Sequence, residues 1–220
     1  MKGPELLNSH TGILRTWVGA CWPGKRAVFR GHDLHQDLRR SDWLELYLFG
    51  ITGRRFTGEQ VKLLHAMWVI TSYPDARIWN NRVAGLAGSA RSTPVLGVTA
   101  ALAVTEARVY GGIGGVRAID FFQRAGKAVA AGRELGAFVR QELAAGEYIW
   151  GYGRPIDSHD ERLAWLTSVA RELGLADGTH FKLAREVEKI LVDDLGKPAL
   201  RMNYAGITAS LGADLGLSPR

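Results

Sequence analysis

Cysteine is nearly missing from this sequence: Cys21 stands alone among 220 residues. One thiol excludes an intrachain disulfide and a cysteine-based zinc cluster, and it fits a reducing, intracellular compartment. Long hydrophobic runs are missing as well. No apolar stretch approaches the roughly 18–20 residues that cross a bilayer. The opening Met1-Lys2-Gly3-Pro4-Glu5 lacks the charged-then-apolar order of a secretory signal. The expectation is a cytoplasmic protein with no membrane partner. Internal repeats and low-complexity tracts are also absent, which sets aside solenoids, collagen-like chains and disordered tails. What is present is ordinary globular composition, 46% hydrophobic and 23% charged. The length suffices for one large domain or a domain with a small subdomain.

Lys and Arg number 28 against 22 Asp and Glu, a formal charge of +6. The arrangement decides what that excess means. Basic residues alternate with acidic ones, as in Arg39-Arg40-Ser41-Asp42 and Arg185-Glu186-Val187-Glu188-Lys189. Solvated helix surfaces have that pattern, whereas a phosphate-tracking stripe clusters one sign, so no nucleic-acid partner is expected.

From Ser41 onward hydrophobic residues recur at helical spacing. Leu44, Tyr47 and Leu48 make one face, Val61, Leu64, His65 and Trp68 a second, and Ala137, Val139, Arg140 and Leu143 a third. Thr57 with Gln60 three residues later reads as a capping box. The stretch from Asn80 to Glu106 is rich in Gly, Ala and Ser and nearly uncharged after Arg91. Gly85, Gly88, Ala100 and Ala103 would let backbones approach closely, at the centre of the molecule or in a subunit interface. Pro94 is placed to open a second helix after Ser92 or Thr93. Further helices are predicted over Arg117–Leu143, Asp160–Leu173, Phe181–Leu195 and Tyr204–Leu215. The one strand signal is Ala27-Val28-Phe29, so the fold class is all-α. Glycine breaks at Gly111–Gly115, Gly146–Asp160 and Leu195–Pro198 divide the chain. The expected parts are a large helical domain over 1–112, a small helical subdomain over 113–200, and a C-terminal helix over 201–220 returning to the large domain.

Motifs with chemical meaning are sparse. Gly111–Gly115 follows a helix and lacks a Gly-Lys-Ser/Thr ending, so it reads as a tight connection and not a nucleotide loop. His32 and His35 have metal-like spacing but no third ligand, and no metal is expected. His65 reads as a hydrogen-bonded core residue. The loop Gly151-Tyr152-Gly153-Arg154-Pro155 sets an aromatic and a cation between backbone groups that a ligand can approach closely.

Taken in order, these segments resemble one family, the citrate synthases, and especially its shorter citryl-CoA lyase-like members. Phe29-Arg30-Gly31-His32-Asp33-Leu34, Trp43–Leu48 and Gly53-Arg54-Arg55-Phe56-Thr57 are similar to the family's "RGYDI … LLL.GRLPT". Ile78–Ala84 with Ser89 resembles "STFAARV…S", from the helix that helps build the dimer core. Val109-Tyr110-Gly111-Gly112-Ile113 falls at "LHGGA", Gly151–Ile156 with Asp160-Glu161-Arg162 at "GFGHPI … DPR", and Met202–Gly206 near "NVD". Asp214-Leu215-Gly216 follows as in the lyases. The resemblance covers most of Ala27 to Pro219 and implies a homodimer.

The departures fall on the chemistry. In the family the "LHGGA" histidine and the "NVD" aspartate enolise the acyl-CoA, and the "GFGH" histidine polarises the acceptor carbonyl. Here Tyr110, Asn203 (or Tyr204, one residue on) and Arg154 stand there, and Ser72-Tyr73-Pro74 occupies the region of an earlier acceptor histidine. Arg162 is retained, at the position where the family holds a substrate carboxylate bidentately. Asn cannot act as a carboxylate base and Arg stays protonated, so the acetyl-CoA plus oxaloacetate reaction is expected to be lost or slow. The replacements are all polar, which favours a repurposed site. The resemblance thus implies acid–base chemistry that makes or breaks a carbon–carbon bond, on a carboxylate-bearing or acyl-CoA substrate. Tyr110, Arg154 and Asn203 are the candidate catalytic residues. Arg162, Tyr73, Gly151, Tyr152, Gly153 and Tyr204 are the candidate substrate-binding ones. No bound cofactor is expected; a CoA thioester would be a substrate. The alternative is a catalytically inactive dimeric homologue that binds a metabolite or a partner.

Overall fold

The computed structural model describes residues 3–10, 16–107, 110–154 and 159–219. Val109, Pro155 and Ile156 of the motifs above lie outside the described residues, as do Met1 and Lys2 of the opening. The chain divides into two compact units, Met1–Val61 and Lys62–Arg220.

The first unit holds α1 (Pro4–His10), a three-stranded antiparallel sheet and α2 (Trp43–Thr52). The sheet runs β1 (Gly19–Trp22), β2 (Arg26–Phe29), β3 (His32–Asp33), with Gly19 opposite Phe29 and Val28 opposite Asp33. Only Ala27–Phe29 was legible beforehand. Strands of four and two residues are too short for an alternating pattern to register. The Arg30 side chain donates to the Gly50 carbonyl from Nε at 3.0 Å and Nη2 at 2.6 Å, tying the sheet to α2. Asp42 and Glu45 close a capping box at the start of α2. The buried residues of α2 are Leu44 and Phe49; of the face expected there Leu44 is buried, Leu48 half-buried, and Tyr47 exposed.

Helix α3 (Gly58–Val69) starts at the capping box expected from Thr57 and Gln60, with N···O distances of 3.0 and 3.3 Å. Its buried face is Leu63, Ala66 and Met67. His65 and Trp68 lie on the opposite, exposed side, so His65 is not a core residue. The apolar residues of this helix cover its whole circumference, and spacing alone did not choose between faces.

The second unit carries α4 (Trp79–Ser89), α5 (Pro94–Val104), α6 (Gly112–Ala130), α7 (Leu135–Ala144), α8 (Arg162–Glu172), α9 (Thr179–Lys189), a π-helical turn (Ile190–Asp194) and α10 (Tyr204–Asp214). Helices α4 and α5 pack on each other where Gly97 is buried against Ala87, and Pro94 opens α5 as expected. The single helix expected over Arg117–Leu143 is two, α6 and α7, broken at Gly132 in the left-handed region (φ +85°). Glu134 then accepts from the backbone N–H groups of Gly136 and Ala137 and starts α7 afresh. On α7 the packed residues are Leu135, Gly136, Phe138 and Val139; Arg140 faces water.

At the centre lies α10, with Gly206, Ile207, Ala209, Ser210, Leu211, Gly212 and Ala213 all buried, packed against α6 and α9. A helix apolar on every side is a core helix. Its one buried hydroxyl, Ser210 Oγ, donates to the Ile207 carbonyl at 2.9 Å. Among the described residues no helix is long and apolar enough to cross a membrane, and no group of three His, Cys, Asp or Glu residues is placed to hold a metal ion.

Candidate active site

The start of α10 is bound to the glycine loop 151–153 by a short antiparallel bridge. Asn203 N donates to the Gly151 carbonyl at 2.9 Å and Gly153 N to the Arg201 carbonyl at 2.7 Å. Gly151 has φ +97°, and a Cβ built there would lie 2.7 Å from Gly206 Cα; a Cβ on Gly206 would lie 2.4 Å from the Gly151 oxygen. Two glycines are therefore needed for this crossing. Tyr152, between them in sequence, turns inward: its ring is fully buried and its hydroxyl donates to the Ala184 carbonyl at 2.7 Å. The Tyr152 side chain therefore belongs to the core, and it is the backbone of Tyr152 that lies in the loop expected to line a ligand.

Asn203 also has its side chain committed. Oδ1 accepts from Gly206 N at 3.2 Å, capping α10, and Nδ2 donates to the Gly153 carbonyl at 2.7 Å. Both ends of the amide clamp the glycine loop to the helix, which makes Asn203 a positioning residue.

Asp160 lies beneath this junction, 1% exposed. Oδ1 accepts from Arg162 Nε and Oδ2 from Arg162 Nη2, each at 2.8 Å, and Oδ2 also accepts from Tyr204 N at 2.8 Å. Burial pushes its pKa up, but the Arg162 hydrogen bonds and charge, the Tyr204 N–H and the Arg154 charge outweigh that and leave it below the ordinary value. The Arg162 guanidinium lies against two rings, 4.6 Å from the Tyr204 centroid and 5.5 Å from that of Tyr73. Its Nε–Nη2 edge belongs to Asp160; the Nη1–Nη2 edge is the one left for a ligand carboxylate.

Arg154 is more fully occupied. Nη1 donates to the His159 carbonyl at 2.6 Å and to Glu161 Oε2 at 3.2 Å, and the side chain is largely buried. Glu161 in turn accepts from the Tyr73 hydroxyl at 2.7 Å. That bond, a backbone contact and Arg154 hold the Glu161 carboxyl below its ordinary pKa against slight burial.

Two asparagines at the start of α4 place the tyrosines. Asn81 Nδ2 donates to the carbonyls of Tyr73 and Asp75 at 2.6 and 3.1 Å, fixing the loop that carries Tyr73. Tyr110 donates its hydroxyl to Asn80 Oδ1 at 3.0 Å and packs its ring 5.4 Å from that of Trp79. Tyr204 donates to the Met67 carbonyl at 2.8 Å. Burial raises the pKa of Tyr110, Tyr73 and Tyr204 alike, although the nearby Arg162 charge pulls each down. At neutral pH the site offers hydroxyls, not phenolates.

The structure thus connects Tyr73, Arg154, Arg162, Asn203, Tyr204 and the loop glycines around Asp160, with Tyr110 held by Asn80 and within range of the Arg162 charge. Sequence reasoning missed Asp160, Glu161, Asn80 and Asn81 as site residues. A carboxylate two positions before an arginine was the available signal for Asp160; Asn80 and Asn81 had none beyond their place at a helix start.

Comparison with known proteins follows this geometry. A family model of the citrate synthase C-terminal domain matches residues 14–220. Among solved structures, citryl-CoA lyase from Hydrogenobacter thermophilus superposes with a TM-score of 0.81 at 22% identity, over 95% of this chain and 79% of that one. ATP citrate lyase from Methanothrix soehngenii, solved with citrate and coenzyme A, gives 0.78 at 18% identity over 98% of this chain. Citrate synthase from Thermoplasma acidophilum, solved with carboxymethyl coenzyme A and oxaloacetate, gives 0.61 at 19% identity over 82%. The chain spans 35% of the ATP citrate lyase and 47% of the citrate synthase. No curated protein sequence matches it.

Proposed function

The chain belongs to the citrate synthase family, and from that premise we propose that it is an enzyme with a repurposed family site, making or breaking a carbon–carbon bond in a carboxylate-bearing or acyl-CoA substrate. The observation that carries this reading is the half-used guanidinium of Arg162. A buried carboxylate and two aromatic rings hold it rigid, with one hydrogen-bonding edge left over. Preorganised donors of this kind are what a site for an anionic substrate requires.

In this reading Arg162 binds the substrate carboxylate end-on and Tyr73 and Tyr204 wall it. Tyr110, kept protonated by burial, gives a proton to the oxygen on which charge develops. Glu161, ionised and with an exposed face, is the carboxylate that can accept a proton in place of the aspartate that Asn203 replaces. The backbone of Gly151–Gly153 is the place for the thioester of an acyl-CoA. Arg154 and Asn203 position the loop. The cytoplasmic location and the division at residues 112 and 200 belong to this same proposal.

A homodimer completes it. The paired helices α4 and α5 expose Leu86, Val95, Leu96, Val98 and Leu102, each more than half accessible. An apolar surface of that extent on a single pair of helices fits burial by a second copy.

A non-catalytic, metabolite-binding homologue is favoured by a different observation: Arg154 and Asn203 satisfy their polar groups within the chain. One experiment separates the two. Thermal shift against CoA, acetyl-CoA, oxaloacetate, citrate and 2-methylcitrate identifies a stabilising ligand, and turnover of that ligand is then followed in the wild type and in Tyr110→Phe. Stabilisation lost in Arg162→Ala together with turnover lost in Tyr110→Phe supports the enzyme. Stabilisation without turnover supports the binding protein, and no stabilisation by any of the ligands sinks both.

A further inference from the structure

The charges around Arg162 balance before any ligand arrives. Arg162 is matched by Asp160, with Nε 2.8 Å from Oδ1. Arg154 is matched by Glu161, with Nη1 3.2 Å from Oε2, and its Nε lies 3.9 Å from Asp160 Oδ2. Nη1 of Arg154 also donates to the His159 carbonyl. Two guanidiniums thus face two carboxylates. What remains for a ligand carboxylate is the Nη1–Nη2 edge of Arg162, whose side chain keeps 20% of its surface accessible. One fork takes one carboxylate.

The walls beside that edge are apolar on their faces and electronegative at their ends. The rings of Tyr204 and Tyr73 lie against the guanidinium, so a carboxylate seated on the fork brings the rest of its molecule alongside them. The Tyr73 hydroxyl is spent on Glu161 Oε1 at 2.7 Å and the Tyr204 hydroxyl on the Met67 carbonyl at 2.8 Å. Neither is a donor in reserve for a second carboxylate. Glu161 is ionised and its side chain is 59% exposed, so the Tyr73 side of the site presents negative charge. A second carboxylate there meets a like charge, whereas a hydrocarbon body covers ring surface.

We infer that the carboxylate-bearing substrate of this site is a monocarboxylate with an apolar body, and that Glu161 discriminates against dicarboxylates of the same shape. The inference rests on the reading of Arg162 as the carboxylate-binding residue and narrows it. Dicarboxylates still reach the Arg162 edge, but more weakly. Glu161 is then a specificity residue besides its part in proton transfer.

Two pairs of 2-oxo acids isolate the charge, because the members of each pair share one skeleton of non-hydrogen atoms. They are 4-methyl-2-oxopentanoate with oxaloacetate, and 5-methyl-2-oxohexanoate with 2-oxoglutarate. Isothermal titration of the full chain at low salt gives their affinities in the wild type, in Glu161→Gln and in Arg162→Lys, which keeps a charge beside Asp160 but not the fork. Glu161 is mostly exposed, so Glu161→Gln should keep the wild-type circular dichroism. In the wild type the monocarboxylate of each pair should bind about tenfold more tightly. In Glu161→Gln the dicarboxylate should gain until the gap is within about threefold, and in Arg162→Lys both members should weaken. Arg171, Arg185 and Arg201 line the cleft that Asp160 also borders. A dicarboxylate that drew on them would bind as tightly as its partner or more so, and that result overturns the inference. A gap unchanged in Glu161→Gln overturns it too. In both cases, weakening in Arg162→Lys leaves the Arg162 reading standing. Binding that is undiminished in Arg162→Lys, or absent for every acid in the wild type, overturns that reading and the inference with it.

Discussion

Asp160 grips Arg162 along one edge only, Oδ1 to Nε and Oδ2 to Nη2, both at 2.8 Å. Because the carboxylate is 1% exposed, removing its charge strands a half-buried guanidinium. Asp160→Asn should cost about 3–5 kcal/mol in denaturant unfolding, the range for breaking a buried pair from one side. A cost under about 1 kcal/mol would mean the pair is solvated and does not organise the site.

The same carboxylate sets a pH dependence. Its pKa in the folded chain lies below the ordinary 3.8, so the unfolded chain takes up the proton first as pH falls. Stability from this group is full above pH 3.8 and is lost as pH drops through the folded value. Unfolding curves at pH 7 and at successive steps below 4 should show that loss, and Asp160→Asn should show a smaller one.

Tyr110→Phe removes one hydroxyl that donates to Asn80. Stability should change by about 1 kcal/mol. Turnover of the active ligand should fall about 10²–10⁴-fold, as for a displaced acid catalyst. Since burial raises the phenol pKa above 10.0, the wild-type rate should show no alkaline fall below that pH on account of this group. Equal rates in wild type and variant would remove Tyr110 from the chemistry.

Gly206→Ala tests the crossing under the loop. Its Cβ would stand 2.4 Å from the Gly151 oxygen, too close without backbone movement. Destabilisation of about 1–3 kcal/mol is expected, together with weakened binding of any ligand at the glycine loop. An unchanged melting midpoint would show that the loop stands further from α10.

How much of this was readable beforehand depended on where the signal is stored. Pro94 and the Thr57–Gln60 box are local chemistry, and both helix starts fell where they were expected. The α6–α7 break rests on Gly132 in a left-handed conformation, which a continuous helical periodicity conceals. His65 was misplaced because α3 is apolar on both sides. Tyr152 and Asn203 were identified as site residues by position in a motif. That Tyr152 points inward and Asn203 spends both ends on backbone depends on the packing of α9 and α10, segments tens of residues away.

The exposed face of α4 and α5 gives the last prediction. Val95 is 75% accessible, Leu86 and Leu96 64%, and Leu102 58%, while the two helices meet each other closely at Gly97 and Ala87. In a two-fold dimer each substitution enters the interface twice. Leu96→Glu with Leu102→Glu would therefore bury four unpaired carboxylates, each costing at least about 2 kcal/mol to desolvate or neutralise. Together they cost at least about 8 kcal/mol, as much as a micromolar association supplies. Sedimentation should give twice the chain mass for the wild type and the single mass for the double variant. Helix content should be unchanged, because neither side chain packs within the chain's own core. A wild type that sediments as a monomer at micromolar concentration would leave the face without the partner proposed for it.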